Sequence, residues 1–263
     1  MLYPKFVNHS IHANTARAIL NNIVFGERRC LGGLLAYLGC EIALTKFSHN
    51  ATLQSNISVF IAFAPAAYLG RTRSPLRFLA PLEWYTGGLL RLFNHGEFLP
   101  EKSLLTIFGK ELCTKGRAPI LCENILYLVT GYGAGNTNVS RLPVYYTHAS
   151  PGTSTKNIQH YGQSIVSGKF QRFDYGILKN LLIYGQIHPP EYDLSKITVP
   201  TAIFYGGNDS LVVEEDINQL ALEINKTLIG KYLLTHYQHL DFIWGLDAGY
   251  VLYPSVLDIL QLY

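Results

Sequence analysis

The chain has 263 residues, is 48% hydrophobic and only 15% charged, and carries a net charge of +3. That is enough for one large domain or for a core with a lid, and without a clustered Lys/Arg face it argues against nucleic acid as a partner. Its 18 Tyr and 13 Phe fit either a well-packed core or an apolar, lipid-binding cleft.

Residues 1–29 show no clear period, although Ile23-Val24-Phe25 reads as the end of a strand. From Leu31 to Phe47 apolar residues return at helical spacing. Ile57 to Ala64 is a β-branched and aromatic run closed by Pro65, which predicts a buried strand. Residues from about 70 to 188 mix apolar clusters such as Leu89-Leu90-Arg91-Leu92-Phe93 with Gly, Pro and Asn, and read as a mostly helical insertion. Within it, Gly131-Tyr132-Gly133-Ala134-Gly135 lacks the Gly-Lys-Ser/Thr ending of a phosphate loop, so a flexible loop is expected. Thr201 to Tyr205 predicts a second buried strand, and Gly206-Gly207-Asn208-Asp209 a turn after it. Val213 to Lys226 predicts a helix with acidic residues in its first turn, where the helix dipole favours them. Lys231 to Leu234 is a further short strand, and Asp247 to Leu260 a last helix interrupted or restarted near Pro254. Strands alternating with helices predict a parallel sheet in an α/β fold.

Four Cys, at 30, 40, 113 and 122, are too few for a disulfide scaffold and leave one bridge or free thiols open. Lys5, His9, His12, Asn14 and Arg17 break up any apolar signal-peptide core. The runs Leu31–Cys40 and Ile57–Gly70 fall short of the roughly 18–20 residues that span a bilayer, so no transmembrane segment is expected. Sequons at Asn8, Asn50, Asn56, Asn138, Asn208 and Asn225 nevertheless point to secretory-pathway ancestry.

In open α/β sheets, ligands bind beyond the C-terminal ends of the strands. Asp209 follows one strand and His239 follows the next, 239 − 209 = 30 residues later. That separation accommodates one helix and one strand. The acid-then-histidine order is that of an α/β-hydrolase triad, in which the acid orients the imidazole and the imidazole serves as general base. A turn-capping Asp and a surface His are the bland alternative for either residue alone.

Around these two residues, Gly206-Gly207-Asn208-Asp209-Ser210-Leu211 and His239-Leu240-Asp241-Phe242-Ile243-Trp244 resemble the acid and histidine motifs of the gastric and lysosomal acid lipases. Ala62-Phe63-Ala64-Pro65-Ala66-Ala67 resembles the strand after the nucleophile helix. Ser140-Arg141-Leu142-Pro143-Val144-Tyr145, Pro151-Gly152-Thr153-Ser154, Gln159-His160-Tyr161, Phe173-Asp174-Tyr175-Gly176 and Pro189-Pro190-Glu191-Tyr192-Asp193-Leu194 resemble cap segments. The resemblance covers roughly residues 39–262.

It implies an incomplete α/β-hydrolase fold with a mostly helical cap: a partial core at 1–69, the cap at 70–188, and the core's C-terminal part at 189–263. It implies hydrolysis of neutral lipid esters such as triacylglycerols or sterol esters, with no metal and no organic cofactor. A lipid ester at a lipid–water interface is the implied partner. It also implies a Cys113–Cys122 disulfide, against reduced thiols, and a glycan on Asn138. Asn208 is not expected to carry one beside the acid. The implied location is secreted or lysosomal, and the absence of a signal peptide leaves cytoplasmic retention open.

No Gly-x-Ser-x-Gly nucleophile elbow occurs in the sequence. One placement of the elbow puts Tyr37 where Ser belongs, within Leu35-Ala36-Tyr37-Leu38-Gly39. Another uses Arg28-Arg29-Cys30-Leu31-Gly32 and makes Cys30 the nucleophile, chemically sound beside a histidine. In both, a side chain replaces the first glycine of a tight turn. Three readings stay open: a thiol nucleophile at Cys30, a degenerate elbow with an inert Tyr37, or residues 1–38 foreign to the fold. Ser48, Ser55 and Ser58 stand outside any elbow context. The segment before the elbow is also too short for the family's first strands and its His-Gly oxyanion loop. This predicts an N-terminally truncated or divergent chain with an exposed apolar sheet edge and low stability. A catalytically inactive lipase-like protein that binds lipid is the rival to a working hydrolase.

Overall fold

The computed structural model describes residues 38–82, 97–98, 124, 127–133, 135–142, 144–145 and 153–263. Their elements are α1 (Leu38–Phe47), α2 (Ala51–Gln54), β1 (Phe60–Phe63), α3 (Leu76–Leu79), β2 (Glu97–Phe98), β3 (Thr153–Ser154), α4 (Thr155–Ser167), α5 (Ile177–Tyr184), β4 (Thr201–Gly206), α6 (Glu214–Glu223), β5 (Leu228–Leu234), α7 (Asp241–Trp244), α8 (Ala248–Val251) and α9 (Tyr253–Leu262). β1, β4 and β5 form a parallel sheet in the order β1-β4-β5, and β2 pairs antiparallel with β3. A parallel sheet between helices is the incomplete α/β-hydrolase arrangement that the resemblance implies.

Burial follows the two-residue period of a strand. Phe60 and Ala62 of β1 and Ile203 and Tyr205 of β4 face one core, packed by Leu44 and Phe47 of α1 and by Ile217 and Leu220 of α6. Phe63, Ala202 and Phe204 face the other, packed by Phe242, Leu252, Val256 and Ile259. Every residue of β4 is buried, because helices cover both of its faces and strands flank both edges. Each such Ile or Phe contributes about 1.5–3 kcal/mol by leaving water.

The expected strand at Ile57–Ala64 is shorter, Phe60–Phe63. The N–H groups of Asn56 and Ile57 instead close the turn after α2, donating to Leu53 and Gln54 carbonyls. β5 is longer than the expected Lys231–Leu234, because pairing starts at Leu228 opposite Thr201 and absorbs a bulge. The expected last helix is two helices, α8 and α9, with Pro254 in the first turn of α9, where its missing N–H costs nothing. α1 covers the C-terminal part of the expected Leu31–Phe47 helix, and its earlier part lies outside the described residues.

α4 begins at an N-cap: Ser154 Oγ accepts from the Asn157 N–H at 3.1 Å. It ends at Gly168 in the left-handed conformation. The Glu41 carboxyl of α1 hydrogen-bonds Tyr161 of α4, tying the core to the cap, and burial pushes that carboxyl up to about 8.

Candidate active site

β4 and β5 run parallel, so their C-terminal ends deliver two loops to one edge of the sheet. The first carries Asp209 and the second His239, both 5% exposed. His239 Nδ1 lies 2.7 Å from Asp209 Oδ2. A carboxylate only accepts, so the imidazole carries its proton on Nδ1 and directs the Nε2 lone pair away from the acid. The other carboxylate oxygen, Asp209 Oδ1, accepts from the Leu211 and Val212 N–H groups, each at 2.8 Å. One side chain thus both caps its own turn and orients the histidine, so the bland reading and the chemical one hold together.

The two loops approach closely because Gly206 has no side chain. A Cβ there would sit 2.3 Å from the Tyr237 carbonyl oxygen. The Asn208 N–H donates to that same carbonyl at 3.0 Å.

A third segment braces both loops, and it is the glycine-rich stretch for which a flexible loop is expected. That expectation is corrected. The Thr130 carbonyl accepts from Ser210 N–H at 3.2 Å and from His239 N–H at 3.3 Å, next to the acid and at the histidine itself. Gly131 (φ 110°) lies flat against Asn208, where a Cβ would stand 1.9 Å from the Asn208 carbonyl oxygen. Further along, Asn136 Nδ2 donates to Asp247 Oδ1 at 2.9 Å, and the Asn136 carbonyl accepts from Leu246 N–H at 2.8 Å. Its side chain also hydrogen-bonds Asp241. Close packing on two loops, not mobility, explains the glycines.

Behind His239, the Asp241 side chain is fully buried and accepts from the Gln238 N–H at 2.9 Å. Burial raises its carboxyl to about 6 against these hydrogen bonds. The folded value exceeds the unfolded one, so the folded chain binds the extra proton. The contribution to stability is fully present below about pH 4 and is lost as pH rises through about 6. The urea-unfolding stability of the wild type relative to Asp241→Asn should therefore fall between about pH 4 and about pH 6 and then level off. A constant difference across that window refutes the assignment.

Thr137 Oγ1 is buried without a hydrogen-bond partner, in the bridge that pairs Thr137 with Gly245. Replacing a stranded hydroxyl by a methyl removes the desolvation cost, so Thr137→Val should leave stability unchanged or raise it by up to about 1 kcal/mol. A fall in Tm would show that the hydroxyl is used.

Of the residues singled out in the sequence, the structure brings Asp209 and His239 together. Cys30, Tyr37, Cys113 and Cys122 lie outside the described residues. Ser48 and Ser55 donate their hydroxyls to the carbonyls of Thr45 and Thr52, local helix bonds remote from His239 in role. Cys40 is a free, buried thiol, pushed up to about 12 by burial. Asn138 is half-buried and its side chain accepts from Ser140 of its own sequon at 2.8 Å. Among the described residues no group of three or more His, Cys, Asp or Glu could hold a metal ion, and no helix is long and apolar enough to cross a membrane. Thr130 and Asn136 are functional candidates that sequence reasoning missed. Their only signal was the unusual density of glycine beside them.

No family model matches the chain. It is 38% identical over 223 residues to gastric triacylglycerol lipase of Rattus norvegicus and 36% identical over 226 residues to lysosomal acid lipase/cholesteryl ester hydrolase of Homo sapiens. It is 33% identical over 226 residues to human lipase member K. These matches cover 84% to 86% of this chain but 56% of each relative, so the chain spans about half the length of the curated relatives it matches. Among solved structures it is similar to a soluble variant of monoglyceride lipase from Saccharomyces cerevisiae, with TM-score 0.46 and 13% identity over 86% of this chain and 59% of the other. It is also similar to an acetylester hydrolase from Corynebacterium glutamicum, with TM-score 0.42 and 12% identity over 94% and 64%.

Proposed function

From a chain that is acid-lipase-like in sequence over about 85% of its length, we propose a hydrolase of carboxylic esters of neutral lipids, triacylglycerols or sterol esters. The observation that carries this reading is the buried 2.7 Å contact between His239 Nδ1 and Asp209 Oδ2 at the ends of adjacent parallel strands. In this reading Asp209 orients the imidazole and His239 removes the proton of the nucleophile, then returns it to the leaving alcohol. Cys30 is the proposed nucleophile: its thiolate attacks the ester carbonyl, forming a thioester that water hydrolyses with the same histidine as base. Residues 70–188 serve as the cap, with a Cys113–Cys122 bridge and a glycan on Asn138. The compartment is secreted or lysosomal.

A second reading has its own observation. The sequence contains no Gly-x-Ser-x-Gly, and a chain that keeps acid and base without a nucleophile binds lipid but does not turn it over. A p-nitrophenyl butyrate assay on the purified chain separates the two. Turnover lost in Cys30→Ala supports the thiol enzyme. Turnover unchanged in Cys30→Ala removes the thiol from the mechanism, and no turnover at all favours the non-catalytic protein.

A further inference from the structure

Helix α5 is inside out. Ile177, Leu178, Leu181 and Leu182 fall on one face at helical spacing, and Leu178 and Leu182 are 81% and 86% exposed. The residue facing inward is polar: Asn180 is 1% exposed. Its Nδ2 donates to Asp174 Oδ1 at 2.7 Å and to the Ile187 carbonyl at 2.9 Å, and its Oδ1 accepts from Tyr175 N–H at 2.9 Å. Tyr184 O–H donates to the Phe173 carbonyl at 3.0 Å. Gly176 and Gly185, both at positive φ, close the two ends. These bonds fix the rotation of the helix, so the leucines are held outward by design of the fold. Water is a poor neighbour for such a face.

The charge around it has one sign. Residues 175–190 contain Lys179 and His188 and no Asp or Glu. Beside α5 lies an open cup of about 470 Å³, lined by Lys156, His160, Arg172, Phe173, Tyr175 and Tyr184 among others. Lys156 Nζ donates to Tyr175 O–H and sits 4.9 Å over the Phe173 ring. The nearest acids are engaged: Asp174 by Gly176 N–H and Asn180, Glu191 by Lys169 at 2.6 Å. An apolar face flanked by a cationic, aromatic-walled cup matches a lipid surface that presents negative oxygens.

We propose that α5 docks the protein on an anionic lipid surface, the Ile177/Leu178/Leu181/Leu182 face entering the acyl boundary and the Lys156/Arg172 cup taking one phosphate or carboxylate head group. It deepens the proposed action on lipid esters by naming the surface on which that action takes place, and it rests on that reading for its purpose only, since docking requires no turnover. With the purified full chain, co-sedimentation is measured on phosphatidylcholine vesicles and on mixed phosphatidylcholine–phosphatidylserine vesicles. Binding to the mixed vesicles should be tighter. Leu178→Asp/Leu182→Asp should weaken binding to both by on the order of a hundredfold. Lys156→Ala/Arg172→Ala should remove about tenfold or more of the preference for the mixed vesicles while leaving binding to the neutral ones. Inorganic phosphate at high concentration should compete only if the cup accepts a free anion, and oleate only if it accepts a carboxylate. Both variants alter exposed side chains, and circular dichroism checks that they fold. Hydrogen exchange of 177–184 should slow on adding vesicles. Slow exchange without vesicles would mean that this chain or a second copy already covers the face, and would overturn the proposal. So would wild-type vesicle binding by Leu178→Asp/Leu182→Asp, or a change in that variant confined to the oligomeric state by light scattering. His239→Ala should bind vesicles as the wild type does, so failure of the hydrolase reading and failure of docking are told apart.

Discussion

Asp209→Asn should lower kcat for p-nitrophenyl butyrate by about 10⁴-fold while the chain still folds. The substitution is nearly isosteric, and its remaining oxygen can keep the two 2.8 Å bonds to Leu211 and Val212 N–H that hold the turn. What changes is the group facing His239 Nδ1: an amide N–H₂ in place of a carboxylate oxygen 2.7 Å away. A donor there demands a lone pair on Nδ1, which moves the ring proton to Nε2 and leaves no base for the nucleophile. His239→Ala removes the base outright and should cost on the order of 10⁶-fold. Asp209→Ala adds a stability loss of about 1–3 kcal/mol, because two buried N–H groups lose their acceptor. Steady-state kinetics beside thermal unfolding separates these effects. Activity that survives Asp209→Asn within tenfold would refute the orienting role of the acid, whatever the nucleophile proves to be.

Gly131→Ala should destabilise the chain by about 3 kcal/mol or more, whereas Gly135→Ala should cost about 1 kcal/mol. Both glycines have positive φ, 110° and 79°, so both substitutions carry the left-handed backbone cost of a side chain. They differ in what the new methyl meets. At Gly131 it would stand 1.9 Å from the Asn208 carbonyl oxygen and 3.0 Å from the Ser210 N–H nitrogen, while at Gly135 nothing lies within 4 Å. The neighbours at Gly131 are backbone, which cannot swing away as a side chain would. Relief requires the segment to lift off the acid turn, and that breaks the Thr130 carbonyl's bonds to Ser210 and His239. Urea midpoints of the two variants, measured side by side, give the difference with the backbone cost cancelled. Equal midpoints would show that the glycine-rich stretch is not the brace described here.

The fold class was legible in the sequence for a local reason. Thr201–Tyr205 is a run of buried strand residues with a turn behind it, and the 30 residues from Asp209 to His239 leave room for one helix and one strand. Local pattern determines such elements because each strand residue reports its burial through its own hydrophobicity. The same spacing set an acid and a histidine at neighbouring strand ends, and the structure puts their side chains in contact.

Strand limits were less legible. Leu228 pairs because Thr201 stands opposite, and the N–H of Ile57 is lost to the turn after α2. Neither partner is near in sequence. The brace was the least legible of all: Gly131 and Asn208 are 77 residues apart (208 − 131), and a glycine carries no mark of what lies against it. Asn180 is the same case reversed, a polar residue drawn inward by Asp174 and the Ile187 carbonyl so that leucines face outward. Hydrophobic pattern alone turns that helix the wrong way. The sequence by itself determined the α/β class, the acid and the histidine. Only the tertiary structure decided which glycines are closed by a neighbouring backbone and which face of α5 meets solvent, because both depend on hydrogen bonds and contacts between segments distant along the chain.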